Sequence, residues 1–175
     1  MTLAAARAAL SHLEIDDNPV SVRAKSRDFF WYSPVLKARL DHVTADFVVA
    51  PRTEAEVIEV LKVCYANDVP VTTRGAGTGN YGQAMPLAGG VILHMKNLAA
   101  VKQVHPGRVI VEPGCLLKDL DAACKVHSGQ EIRMFSSTWA TATIGGFIAG
   151  GSGGVGSCTW GALRDLGNII RLRVV

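Results

Sequence analysis

The chain has 175 residues, of which 49% are apolar and 19% charged, with a formal net charge of +3. That composition belongs to a globular domain with a core of its own and excludes disorder, while the slight charge, with no basic run, argues against nucleic acid as a partner. No apolar run reaches membrane-spanning length, and Glu14, Asp16 and Asp17 follow too soon after the Ala-rich start for a secretory signal, so a cytoplasmic protein is expected.

Residues 1–45 are expected to form a helical N-terminal segment. Its aromatic run, Phe29-Phe30-Trp31-Tyr32, suits a packing flap better than a binding site, and Pro34 ends any helix before it. Phe47-Val48-Val49-Ala50 then has the pattern of a short buried strand, closed by Pro51. Thr53-Glu54-Ala55-Glu56 forms a capping box, in which the Thr hydroxyl meets a free backbone N–H and Glu56 reaches back. Val57, Ile58, Leu61, Cys64 and Tyr65 follow at helical spacing as one apolar face, ended by Asn67-Asp68. Val69 to Arg74 is the next strand, so this strand–helix–strand unit predicts two parallel strands.

Val91 to His94 predicts a further strand after Gly89-Gly90. Leu98 to Val104 and Arg108 to Glu112 predict two more, with a turn at Pro106-Gly107. Pro113-Gly114 precedes a helix carrying Leu116, Leu120, Ala123, Cys124 and His127 on one face. Residues 128–143 are mostly loop, Ile144 to Gly151 a short helix, and Leu166 to Val175 a strand. The chain therefore stops inside an apolar strand, from which a fragment or shortened chain is expected. The four cysteines, Cys64, Cys115, Cys124 and Cys158, form no C-x-x-C pair and have no metal-like partner nearby, so no metal site is expected. Cys64 and Cys124 fall on apolar helix faces as buried thiols, and a reducing compartment follows.

Glycine is the outlier, at 18 residues gathered mainly in two stretches. Glycine loses the most backbone entropy on folding, so such crowding needs positive φ angles or a ligand against bare backbone to explain it. Gly77-Thr78-Gly79-Asn80-Tyr81-Gly82 matches G-x-G-x-x-G after a strand, which invites a dinucleotide-binding Rossmann loop. The context refuses it. A Rossmann loop opens directly into a helix, whereas here Pro86, Gly89, Gly90 and a strand follow, and no acidic residue stands about twenty positions on. What remains is a turn whose successive N–H groups cup an anion, with Arg74 and the Thr78 hydroxyl beside it. The second stretch, from Thr143-Ile144-Gly145-Gly146 through Gly150-Gly151-Ser152-Gly153-Gly154 to Trp160-Gly161, is interrupted by Ile144, Phe147, Ile148 and Val155. It is therefore ordered backbone lying close to something, not a linker. Two such stretches suit one extended ligand with the length of a dinucleotide.

Five short patterns in the same order carry a resemblance: Pro51 to Val57, Arg74 to Gly79, Val111-Glu112-Pro113-Gly114, Thr143-Ile144-Gly145-Gly146, and Trp160-Gly161 leading to Val174-Val175. Residues 48–175 resemble the FAD-binding domain of the vanillyl-alcohol oxidase/PCMH superfamily, in the branch of glycolate oxidase D-subunits and D-lactate dehydrogenases. The resemblance implies an α+β, PCMH-type FAD-binding domain over 46–175, with a small parallel β subdomain, a mixed sheet and flanking helices. It also implies that the C-terminal end and a separate substrate domain are missing.

The resemblance further implies that Arg74, Gly75, Ala76, Gly77, Thr78 and Gly79, with Asn80 and Gln83 near, wrap the pyrophosphate. Pro113 and Gly114 would lie against the adenine half. Thr141, Ala142, Ile144, Gly145 and Gly146 would line the ribityl chain and flavin, and Gly153 and Gly154 would approach the cofactor from its backbone side. Relatives with covalent flavin often carry His late in the first loop or Cys in the second; this chain has Thr78 and Thr141, so non-covalent FAD is expected. Gly151 and Trp160 depart from the usual Asn and Tyr and weaken the transfer around 151–161.

The implied reaction is oxidation of a 2-hydroxy acid such as D-lactate, glycolate or D-2-hydroxyglutarate, with an electron acceptor that the residues do not specify. A homodimer is left open. The base and carboxylate-binding groups belong to the missing domain, so no catalytic residue is named, and His94, His105 and His127 are taken as surface or packing residues. The alternatives are an FAD-binding fragment without turnover of its own and a nicotinamide-dependent Rossmann enzyme.

Overall fold

In a computed structural model of the chain, residues 2–165 and 167–175 are described. They divide into two compact units, Met1–Asn97 and Leu98–Val175.

The first unit opens with α1 (Leu3–Ala9), β1 (Ile15–Asp16), α2 (Pro19–Lys25), a 3-10 turn at Phe30–Tyr32 and α3 (Pro34–Leu40). Pro34 stands at the first position of α3, where its missing N–H is no loss, and Ser33 caps that helix. Strands β2 (Phe47–Val49), β3 (Val71–Arg74) and β4 (Val91–His94) follow, with α4 (Glu54–Ala66) between β2 and β3. The sheet order is β1-β2-β4-β3, with β1 antiparallel to β2. Strands β2 and β3 are both parallel to β4, which lies between them. The parallel sense follows from the strand–helix–strand unit as expected, whereas the insertion of β4 does not. Phe47, Val48 and Val49 pair with Val91, Ile92 and Leu93, and all six are buried. A strand buried on both faces gives this continuous apolar run.

The Thr53 hydroxyl accepts from Glu56 N at 3.2 Å. The returning Glu56 carboxylate takes the N–H of Arg52 at 2.8 Å, one residue beyond the cap, so the box closes on a wider loop than expected. On α4 the buried residues are Val57, Val60 and Cys64, while Tyr65 is 91% exposed. Tyr65 sits one residue and therefore about 100° round from Cys64, so the expected face had merged two adjacent ridges.

In the second unit β5 (Val101–His105) and β6 (Arg108–Val111) form an antiparallel hairpin closed by Pro106-Gly107, with Gly107 at φ +77°. Pro at the second and a positive-φ Gly at the third turn position are what a type II turn requires. Helix α5 (Leu117–Ser128) packs Leu120 and Cys124, with Cys115, against Val101, Val104, Val109 and Val111 of the hairpin. His127 is exposed, not part of that face. Helix α6 (Ile144–Ala149) contributes Phe147 to a cluster with Leu117, Met134, Ala142 and Leu163. A further short helix, α7 (Ser157–Trp160), carries no sequence signal of its own.

The strand expected over 166–175 does not form in the described part of it. Leu166 lies outside the described residues. Residues 167–175 form a turn and then irregular chain with Ile170, Leu172, Val174 and Val175 exposed. A strand exists only against a hydrogen-bonding neighbour, and among the described residues none pairs with this segment. Among the described residues no helix is long and apolar enough to cross a membrane.

Candidate cofactor site

The first glycine stretch begins where β3 ends, at Arg74, opposite His94 of β4 in parallel register. Arg74 is only 9% exposed. Its Nη1 donates to the Arg27 carbonyl at 2.7 Å and Nη2 to the Ala76 carbonyl at 3.4 Å. Burial pulls its pKa down and the Asp28 charge partly restores it; a guanidinium so placed stays a cation. The side chain that the sequence set beside the anion thus lies folded under the loop. Gly77 has φ +71°, and a Cβ built there would collide with the Arg74 guanidinium. Two separate constraints therefore keep this position glycine.

Above that cation the backbone runs free of regular structure. Among the described residues, the successive amides of Ala76, Gly77, Thr78, Gly79 and Asn80 donate to no protein acceptor, and these residues are half-buried to exposed. Unpaired consecutive N–H groups form a concavity that favours an anion, and the buried guanidinium beneath adds to its positive potential. The Gly79 carbonyl accepts from Phe29 N at 2.8 Å. Gln83 turns its Oε1 to Tyr81 N at 3.3 Å, beneath Gly79. This donor set, with a backbone no Cβ can occupy at Gly77, fits a pyrophosphate.

His94 closes the strand end beside Arg74. Burial, then the charges of Arg74 and Lys96, push its pKa from 6.5 to about 4, and Nδ1 has no hydrogen-bond partner among the described residues. The folded chain therefore holds a neutral imidazole where the unfolded chain takes a proton. Stability is full above pH 6.5 and falls as the pH drops from about 6.5 towards 4. Denaturant unfolding of the chain across that range is expected to show the fall, and His94→Asn to flatten it. The carboxylates of Asp16 and Asp41, held at about 2 by Ser21 and Lys25 and by Arg27 and Lys37 respectively, lose their stabilisation only below 3.8.

The second unit carries the remaining expected positions. Residues 113–117 and 142–145 are zipped together. Gly145 N donates to the Pro113 carbonyl at 2.9 Å, Ile144 N to the Cys115 carbonyl at 2.9 Å, and Leu117 N to the Ala142 carbonyl at 2.9 Å. Gly114 N is taken by the Leu98 carbonyl at 2.7 Å. Thr143 caps α6 through Gly146 N at 3.3 Å. These amides are consumed within the protein, unlike those of the first loop. Pro113, Thr141 and Gly146 are exposed, Ile144 and Gly145 half-buried, and Ala142 lies in the core cluster with Leu117.

Gly153 packs against Ser157, and Gly154, at φ +67°, leaves no room for a Cβ beside the Phe135 carbonyl. Gly156 abuts the Arg133 carbonyl in the same way. The close approach that the sequence signalled around 153–156 is thus met by the chain itself, at 133–136. Sequence reasoning missed Arg27, Asp28 and Phe29, which lie directly behind the first loop. An acidic residue before an aromatic run carries no spacing signal that could have found them.

The profile of the family described as "FAD binding domain" matches residues 45–175. The chain belongs to that family. FAD is accordingly its cofactor, and the fold is the PCMH-type α+β arrangement. The chain is 32% identical over 132 residues to the glycolate oxidase subunit GlcD of Bacillus subtilis, covering 74% of this chain and 27% of that protein. It is 34% identical over 126 residues to a D-lactate dehydrogenase of Archaeoglobus fulgidus, covering 67% and 26%. The family member thus spans about a quarter of the length of these curated relatives. Among solved structures, alkyldihydroxyacetonephosphate synthase matches with a TM-score of 0.73 at 18% identity over 85% of this chain and 31% of that one. p-Cresol methylhydroxylase matches with a TM-score of 0.66 at 19% identity over 83% and 28%.

Proposed function

We propose that this chain is the FAD-binding part of a flavin-dependent oxidoreductase that acts on the CH–OH group of a 2-hydroxy acid such as D-lactate, glycolate or D-2-hydroxyglutarate. The observation that carries the cofactor half is the run of unpaired amides from Ala76 to Asn80 over a buried arginine. The relatives named a glycolate oxidase subunit and a D-lactate dehydrogenase support the substrate class.

In this reading the amides of 76–80 and the Thr78 hydroxyl take the pyrophosphate, Arg74 and Gln83 hold the loop, and Gly75 gives it room. Pro113 and Gly114 face the adenine half. Thr141, Ile144, Gly145 and Gly146 face the ribityl chain and flavin, with Ala142 supporting them from the core, and Gly153 and Gly154 lie at the cofactor's backbone side. Bound FAD supplies the hydride acceptor for the carbon bearing the hydroxyl. A base for the hydroxyl proton and cations for the substrate carboxylate are needed as well, and no residue of this chain is assigned either task.

The proposed attachment is non-covalent, since neither Thr78 nor Thr141 can form the flavin link. Purified chain is expected to take up FAD and show flavin absorption bands, and acid denaturation to release all the flavin into the supernatant. Flavin that stays with the precipitated protein would overturn the non-covalent attachment. A colourless chain that also fails to bind added FAD would sink the cofactor reading. Anaerobic addition of D-lactate, glycolate or D-2-hydroxyglutarate then separates an active unit, whose flavin bands bleach, from a binding part without turnover of its own.

A further inference from the structure

Asp28 is 4% exposed. Its Oδ1 accepts the Phe30 N–H at 2.8 Å, while Oδ2 has no hydrogen-bond partner among the described residues. Oδ2 points at the first glycine loop, 3.4 Å from where a Cβ on Gly79 would stand. On either side the same strand of chain grips the loop: the Arg27 carbonyl takes Arg74 Nη1 at 2.7 Å, and Phe29 N bonds the Gly79 carbonyl at 2.8 Å. A buried carboxylate with an unpaired oxygen is costly, and one placed behind a pocket for a doubly charged anion repels the ligand as well. Electrostatics of anion binding alone would select against it. The compensating gain has to lie in what the carboxylate orients: it fixes the Phe30 N–H between the two grips on the loop, and its charge favours the buried Arg74 cation at longer range, without a direct ion pair among the described residues.

We propose that Asp28 is the positioning residue of the pyrophosphate loop: its carboxylate keeps the Arg74 guanidinium folded beneath Gly77, and so sets the amides of 76–80 towards the phosphates. This rests on the reading of 76–80 as the pyrophosphate loop. The segment expected to be a packing flap is, on this account, the back wall of that loop.

The sign of one substitution separates the roles. Asp28→Asn keeps an oxygen for Phe30 N and removes the negative charge. If Asp28 were a bystander, FAD affinity would stay the same or rise, because a repelling charge has gone. If Asp28 positions the loop, FAD affinity falls at least about tenfold, with the far-ultraviolet circular dichroism and thermal midpoint unchanged. Amide hydrogen exchange at Phe29, whose N–H is tied to the Gly79 carbonyl, accelerates at least about tenfold in the FAD-free chain while that of 54–66 does not.

A double-mutant cycle with Arg74→Gln completes the test, and the double variant is expected to be no worse than either single one. Unchanged exchange and unchanged or tighter FAD binding in Asp28→Asn would overturn the proposal and leave the FAD reading standing. A wild-type chain that fails to bind FAD would remove that reading, and hydrogen exchange alone then decides whether Asp28 holds the loop. Should Asp28→Asn fail to fold, Asp28→Ser, which retains a short acceptor for Phe30 N, serves the same measurements.

Discussion

Gly77→Val is expected to abolish FAD retention, weakening affinity at least about 100-fold, while α4 keeps its helical signal in circular dichroism. Two effects add. A β-branched residue forced to φ +71° is a genuine backbone outlier, with a strain on the order of 1–2 kcal/mol. The new side chain also enters the space of the Arg74 guanidinium and must expel it from its carbonyl partners on Arg27 and Ala76. Helix α4 is insulated from both, since its buried residues Val57, Val60 and Cys64 do not depend on the loop. FAD titration followed by fluorescence reads the outcome.

Because the φ angle and the Arg74 guanidinium both act against a side chain at 77 without any ligand, loss of FAD does not by itself identify a phosphate cradle. Gly77→Ala with Arg74→Ala removes the collision but also the cation and its two carbonyl bonds beneath the loop, so this double variant is expected to bind FAD no tighter than Gly77→Ala, whereas its stability recovers part of what Gly77→Ala loses. Normal FAD binding by Gly77→Val would show that the loop is not a phosphate cradle at all.

Much of both units was legible because each signal is local. The capping threonine, the apolar runs 47–49 and 91–93, and the turn at Pro106-Gly107 each specify their element from a handful of neighbouring residues. The glycines were legible as close approaches but not in what they approach. Gly154 and Gly156 meet carbonyls of Phe135 and Arg133, and Gly145 meets Pro113, partners set by tertiary folding and invisible to periodicity. The place of β4 between β2 and β3 is likewise a matter of sheet order, which no single strand encodes. Arg74 was expected beside the anion and lies folded under the loop, because the carbonyl that takes its Nη1, that of Arg27, comes 47 positions earlier in the chain. The strand expected near the C-terminus failed for the complementary reason: apolar composition proposes a strand, but only a partner makes one.

Gly145→Ala probes the second unit with the smallest possible change. A Cβ at 145 would stand 2.6 Å from Pro113 Cβ and 2.8 Å from the Pro113 carbonyl oxygen. No flexible side-chain end absorbs that overlap, so backbone must move on one side or the other. The bond from Gly145 N to that same carbonyl, and the neighbouring one from Ile144 N to Cys115, are the first to lengthen. Overpacking of this kind is expected to cost about 1–3 kcal/mol in denaturant unfolding. Gly107→Ala is the control, because its site is open and only the strain of φ +77° applies. Both variants are expected to lose stability, but only Gly145→Ala to lose FAD affinity, by about tenfold, since it alone shifts Pro113 and Gly114 against α6. Equal FAD binding by the two variants, with Gly145→Ala destabilised as expected, would mean that the 113–145 seam holds the unit together without touching the cofactor.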